Sequence, residues 1–362
     1  MLLTNTFGRY LTRRFARAIL GVFGTFFFLI GTLDFVELMR RAGDSPGATT
    51  PLVIQLALFR VPSVAEQIFP FAVLFGGMFA LLTLSRKLEL VVARSVGVSA
   101  WQFLQPAAVV AGAIGLVSIL VYNPVAAELK RRATALETKM FLRTGQTLTQ
   151  PEIWIRQSSV DGQAVIRAAA ALPEGNGLSQ VSFFSFSPGG SFSERVDARE
   201  AILQQGQWQL TDARVVSASG QPEHYKSYVV ATTLDPEQMR QSFTPPNSVG
   251  FWAMPAVIER TRLAGLDPTP YQLRYQALMA RPLLLVAMIL VAASVSLRFF
   301  RFGGVTKLVI GGVAAGFMLY VATQLSEELG SSGIVNPVIA AWLPAAIGTM
   351  LGTLALLHQE DG

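Results

Sequence analysis

Apolar residues gather into long runs at both ends of the chain and into short, partly alternating runs in its middle. A helix needs about 20 apolar residues to cross the hydrocarbon core of a membrane. The pattern therefore predicts spans at 16–38, 52–84, 101–122, 281–300, 305–325 and 335–357. Pro62, Glu66 and Pro70 interrupt the second run, which predicts a tilted or interfacial first half and a deeper part from Ile68 to Leu84. Residues 123–270 are a different material. "EIWIRQ", "QAVIRAAA", "VSFFSF", "ERVDAREAIL" and "YKSYVVATT" are β-branched or aromatic runs of strand length. "EGNG" at 174–177, "SPGG" at 187–190 and "SGQP" at 219–222 separate them as turns. Such spacing predicts an all-β sandwich. Glu128 to Arg143 is rich in helix formers and reads as a helical extension of the third span. "AMPAVIERTRLA", near 253–264, is an amphipathic stretch that leads back to the fourth.

Charge supplies an orientation. The 362 residues are 51% hydrophobic and 14% charged, against roughly 25% charged in soluble proteins, so a membrane protein is the expected class. Lys and Arg in short loops favour the cytoplasmic side. They occur in the N-terminal tail (Arg9, Arg13, Arg14, Arg17), in the 85–99 connection (Arg86, Lys87, Arg94) and in the 298–307 connection (Arg298, Arg301, Lys307). The 326–337 loop carries Glu327 and Glu328 and no Lys or Arg. Both termini and the basic connections are then expected inside and the polar middle outside. No small-x-small cleavage site follows the first run, so it reads as an uncleaved signal-anchor.

Candidate chemistry is sparse. The chain has no cysteine, and its two histidines, His224 and His358, show no metal-ligand spacing. It contains no P-loop, HExxH, GxSxG or paired-carboxylate motif, which argues against catalysis by this chain. Two other constellations stand out. "LSRKLELVVARSVGVSAWQF", 84–103, reads as a short helix with Leu88, Val91 and Val92 on one face and Arg94 on the other, with Glu89 its one acid and Gly97 its close. It is either a solvated linker or a helix that docks into a cytoplasmic partner. The second is basic and external: Arg40 and Arg41 in "LDFVELMRRAG", then Arg60, Lys130, Arg131 and Arg132. These side chains either snorkel to headgroups or hold a phosphorylated lipid. Gly312 with Gly316, and Ala108 with Gly112, stand four apart and suit close helix packing, within one chain or between subunits.

Several separated stretches carry a resemblance: "FVELMRRAG", "FPFAVLFGGMFALLTLSRKLELVVARSVGVS", "TPYQLRYQALMARPL", "GFMLYVATQL" and "IAAWLPAAIG". Together with the order of spans, β-region and spans, they resemble the LptF/LptG permease family of the lipopolysaccharide exporter, over nearly the whole chain. The basic pair and the "YQLRYQ" entry are nearer the LptG branch than the LptF one.

The resemblance implies an integral membrane bundle of six transmembrane helices with an inserted periplasmic all-β, jellyroll-like domain. Its parts would be 1–125, including a coupling helix at 85–98, then 126–270 and 271–362. It further implies a bacterial inner-membrane location and a heterodimer with a homologous LptF-type permease. A cytoplasmic ATPase dimer would use ATP and Mg, with no cofactor on this chain, and a single-span protein would anchor a periplasmic bridge. Lipopolysaccharide would be the cargo, and nucleic acid would not be a partner. By the same resemblance Glu89, with Leu88, Val91, Arg94 and Gly97, would meet the ATPase. Arg40 and Arg41 would lie near lipid A phosphates, and Arg132 would lie above the third span. The chain departs from the LptG pattern where Asp34 and Ser63 replace expected lysines, leaving Arg60 and the Lys130–Arg132 run to compensate, or a lipid with differently placed charges. The alternative function is a membrane receptor or scaffold whose β-domain binds an external ligand.

Overall fold

The computed structural model describes residues 6–43, 49–141, 153–159, 162–172, 177–187, 191–217, 220, 222–232, 245–263, 267–302 and 305–360. The chain opens with α1, Thr6–Ala42, whose 37 residues exceed the predicted span at both ends. α2, Thr50–Ala65, passes through a single 3-10 turn, Glu66–Ile68, into α3, Phe69–Arg86. Pro62 lies inside α2 and Pro70 in the first turn of α3, where a missing N–H loosens the ladder between them. The predicted interruption is thus a local turn within one long rod. After α4, Glu89–Ser95, comes α5, Ala100–Val117, started by a capping box between Ser99 and Gln102. A π-helical segment, Ser118–Tyr122, leads into α6, Asn123–Phe141, the expected extension. After the strands come α7 (Met254–Leu263), α8 (Thr269–Phe302), α9 (Val305–Ser331) and α10 (Pro337–Glu360).

Among the described residues, five helices are long and apolar enough to cross a membrane: Thr6–Ala42, Thr50–Arg86, Ala100–Glu137, Thr269–Ser296 and Pro337–His358. α9 covers the predicted fifth span, 305–325, and is not among these five. Helix α8 is central, contributing Leu285, Ala287, Met288, Ile289, Leu290, Ala292 and Ala293 to the main apolar cluster with α1, α3 and α5. Glycine permits two of the close approaches. A Cβ on Gly76 would lie 2.5 Å from the Ile19 Cα, and one on Gly115 would lie 2.5 Å from the Pro282 Cα. Gly312 and Gly316 face Met78 and Leu74 of α3, and Gly112 faces Val286. The small residues read from the sequence therefore serve packing inside this chain.

The β-region is one antiparallel sheet in sequential order, β1 (Ile153–Ser159), β2 (Gly162–Ala171), β3 (Gly177–Phe186), β4 (Phe192–Gln204), β5 (Gln207–Ser217) and β6 (Glu223–Ala231). The strand spacing predicts two sheets face to face; the described strands instead form a single meander. β5 falls outside the predicted strand runs. The sheet carries a crease. Pairing skips Ala169 opposite Gln180, Gln180 opposite Arg199, Arg199 opposite Asp212 and Asp212 opposite Lys226. Gln180 (φ 47°) and Asp212 (φ 59°) have left-handed backbones on that line. The buried positions change phase across it: Val196 and Ala198, then Ala201 and Leu203, on β4; Trp208 and Leu210, then Ala213 and Val215, on β5. Such irregularities bend a sheet. The bend lets the inner face bury Phe183 and Trp208 among residues of the sheet itself, with their rings 5.8 Å apart.

Candidate functional site

At the α4 end, α3 stops because Leu88 turns left-handed (φ 60°), and α4 stops at Gly97 (φ 85°). The Gly97 N–H donates to the Arg94 carbonyl and the Val98 N–H to that of Ala93, which completes the helix end. Leu90 and Ala93 face inward. Leu88, Val91, Val92 and Val96 are exposed, the last at 79%, and present an apolar surface on a segment otherwise basic. A neighbouring cleft of about 410 Å³ is lined by Phe7, Tyr10, Lys87, Glu89, Val92 and Val96. The expected apolar face thus exists, although Leu88 precedes the helix. Glu89, expected to await a partner's cation, already has partners: the Tyr10 hydroxyl donates to it at 2.9 Å and Arg14 pairs with it at 3.3 Å.

The basic residues lie at the opposite end of α1, on α2 and on α6, and they fall into two kinds. Arg40 and Arg41 both reach back one turn to Glu37, at 2.9 and 2.8 Å, and their side chains stay more than half exposed. Arg131 and Arg132 repeat the arrangement on Glu128, at 2.6 and 2.8 Å. Each exposed pair therefore shares one carboxylate and keeps a net positive charge. Leu38 and Ala42 of α1 and Ala133 of α6 share one apolar cluster with Val53, Leu56 and Ala57 of α2, so α2 joins the helices that carry the two groups. Lys130, beside Arg131 on α6, is half-buried. Arg60 is of the other kind. It bridges Asp34 of α1 at 3.3 Å and Glu137 of α6 at 3.1 Å and is only 21% exposed. It is committed to this chain's own carboxylates.

A third cluster is not among the sequence-predicted sites, where Glu66 reads only as an interruption. Glu66, 4% exposed, accepts from Arg281 at 2.6 Å, Arg274 at 3.1 Å and the Asn123 amide at 2.9 Å. The two arginines stand seven residues, about two turns, apart on α8 and so share a face. The signal was an acid in an apolar run, which is expensive unless paired and usually functional.

Over residues 9–358 the sequence matches the family described as lipopolysaccharide export system permease LptF/LptG. The chain belongs to this family. Among its relatives, the lipopolysaccharide export system permease protein LptG of Escherichia coli (strain K12) is 23% identical over 347 residues, 92% of each chain. The LptG protein of Haemophilus influenzae is 22% identical over 370 residues, 98% of this chain and 96% of that one. The match spans both helical ends and the sheet between them, so LptF/LptG membership applies to the whole architecture. In this LptF/LptG permease, no group of three or more His, Asp or Glu among the described residues could hold a metal. The arrangement offers two exposed guanidinium pairs, each sharing one carboxylate, a chemistry that can bind phosphate, and an exposed apolar surface around α4.

Proposed function

We propose that this chain is the LptG-type permease subunit of an ATP-driven lipopolysaccharide exporter, with six spans in a bacterial inner membrane and a periplasmic, jellyroll-like sheet domain. The observation that carries the proposal is the family match across nearly the whole chain. The geometry supports it in three ways. α4 presents Leu88, Val91, Val92 and Val96 around Glu89, with Arg94 and Gly97 bounding the helix, which suits a cytoplasmic ATPase. Arg40 and Arg41 on α1 and Arg131 and Arg132 on α6, two helices joined through α2, are exposed at the far end, which suits the phosphates of a lipid A. The bent sheet buries an apolar inner face, which an opening of the sheet would offer to acyl chains.

In this reading a homologous LptF-type subunit completes the permease, and the ATPase dimer supplies ATP hydrolysis with Mg. Lipopolysaccharide then leaves the outer leaflet and passes to a bridge anchored by a single-span partner. Arg60 has no direct lipid role in it, because Asp34 and Glu137 already hold its guanidinium. The test is lipid mass spectrometry on the complex purified through a tag on this chain. Lipopolysaccharide together with a co-purifying ATPase is the expected result. A complex with neither, isolated under conditions that preserve membrane assemblies, favours the receptor or scaffold alternative.

A further inference from the structure

Several interruptions of regular structure converge on one carboxylate. Glu66 occupies the 3-10 turn between α2 and α3. Asn123, which donates to it, begins α6 immediately after the π-helical segment. The Asn123 side-chain Oδ1 accepts the Phe251 N–H at 2.9 Å, on the segment returning from the sheet. Arg281, at 2.6 Å, precedes Pro282 inside α8. The Tyr122 hydroxyl donates to the Pro62 carbonyl at 2.8 Å, tying the π-helical segment to the other side of the turn. Helices bend at prolines and π-helical segments, so Glu66 joins bendable points of three rods, α2/α3, α5/α6 and α8. Glu327 of α9 lies within electrostatic range of both arginines.

We propose that Glu66 is a positioning residue, an ionic pin that transmits bending at the α2/α3 turn to α6 and the sheet domain. The proposal rests on the permease reading. α3 is an 18-residue rod leading from α4 to this turn, a length of about 27 Å. α6 and the Phe251 segment lead from Asn123 toward the two ends of the sheet region. A buried ion cluster adds little net stability over well-packed apolar side chains, while removal of one partner is severe. Such a cluster suits a directional link better than simple adhesion.

The test uses the full chain, assembled with its partner permease and ATPase in vesicles containing lipopolysaccharide, and compares Glu66→Gln and Asn123→Leu. Couplings between sites typically amount to 5–150-fold, so lipopolysaccharide released per ATP hydrolysed should fall by about fivefold or more while ATP hydrolysis persists. A merely structural role would lower both together. The chain lacks cysteine, so spin labels on cysteines placed at exposed Phe79 of α3 and Val125 of α6 report the link directly. Their distance distribution should broaden in both variants. Asn123→Leu keeps both Glu66–arginine pairs and is the deciding variant if Glu66→Gln does not accumulate. Parental release per ATP and parental label distances in Asn123→Leu would overturn the pin. Failure of the parent chain to recruit an ATPase would instead count against the permease reading, and the label distances alone would then judge the pin.

Discussion

Asp34 of α1 holds Arg60 of α2 at 3.3 Å, and Glu137 of α6 holds the same guanidinium from the other side at 3.1 Å. The acid that replaces an expected lysine is therefore the anchor of a strut across three helices. One carboxylate oxygen of Asp34 and the Arg60 Nε remain buried without hydrogen-bond partners among the described residues, so the strut tolerates little further loss.

Asp34→Lys, which installs the lysine that the family resemblance leads one to expect there, is accordingly expected to destabilise this chain. It sets two cations together and leaves Glu137 as their one counter-charge. Breaking a fully buried pair costs ~3–5 kcal/mol; with both side chains partly hydrated here, a loss of about 2 kcal/mol is expected. The triple variant Asp34→Lys/Arg60→Glu/Glu137→Lys, which reverses all three charges, should recover much of it. Thermal unfolding in detergent reads both, and an unchanged midpoint for the single variant would show that the strut carries no weight.

What was legible in the sequence follows from range. Long apolar runs report spans without knowledge of neighbours, and Pro62 and Pro70 mark a helix interruption by their own chemistry. The Glu37 and Glu128 pairings are also written in local spacing, since both place an acid three and four residues before two arginines. Arg60 with Asp34, and Glu66 with Arg274 and Arg281, join residues far apart in sequence, and only the packing of the helices brings them together. Strand β5 was hidden for another reason. Trp208 and Leu210 alternate in one phase and Ala213 and Val215 in the other, so no single period-2 pattern runs through it. The crease at Asp212 erased the signal that a flat strand would have given.

The exposed arginines make a separable prediction. Arg40→Glu/Arg41→Glu should reduce photocrosslinking to lipopolysaccharide severalfold and leave complex assembly intact, because both side chains lie on the surface. Glu37→Gln removes the carboxylate both arginines share and should leave crosslinking equal to the parent or higher. Equal crosslinking in the double arginine variant would remove these residues from lipid binding. A loss in Glu37→Gln would mean that the carboxylate orients them.

The crease gives a stability test of the sheet. Asp212 sits at φ 59°, a conformation that costs an ordinary L-residue roughly 1–2 kcal/mol and that Gly adopts freely. Asp212→Val should therefore make the sheet markedly more sensitive to limited proteolysis, and Asp212→Gly should leave it near parental. Equal cleavage rates for the two variants would mean that the strand relaxes out of the left-handed conformation without consequence.

Glu89 poses the question of whether an acid already paired inside the chain can also serve a partner. Its bridge to Arg14 is partly exposed, with side chains 28% and 19% accessible, so its direct contribution to stability is at most about 1 kcal/mol. Glu89→Lys should therefore shift thermal unfolding little, yet abolish co-purification of the ATPase by placing a cation beside Arg14 in the docking surface. Arg14→Ala frees the carboxylate without removing it, and the Tyr10 hydroxyl still donates to Glu89; ATPase recovery should stay within about twofold of the parent, the scale of a surface ion pair. If Arg14→Ala loses the ATPase as completely as Glu89→Lys, the functional unit is the Arg14–Glu89 pair, and α4 docks through a geometry that this bridge maintains. If Glu89→Lys retains the ATPase, the exposed Leu88, Val91, Val92 and Val96 suffice for docking and the acid belongs to the fold.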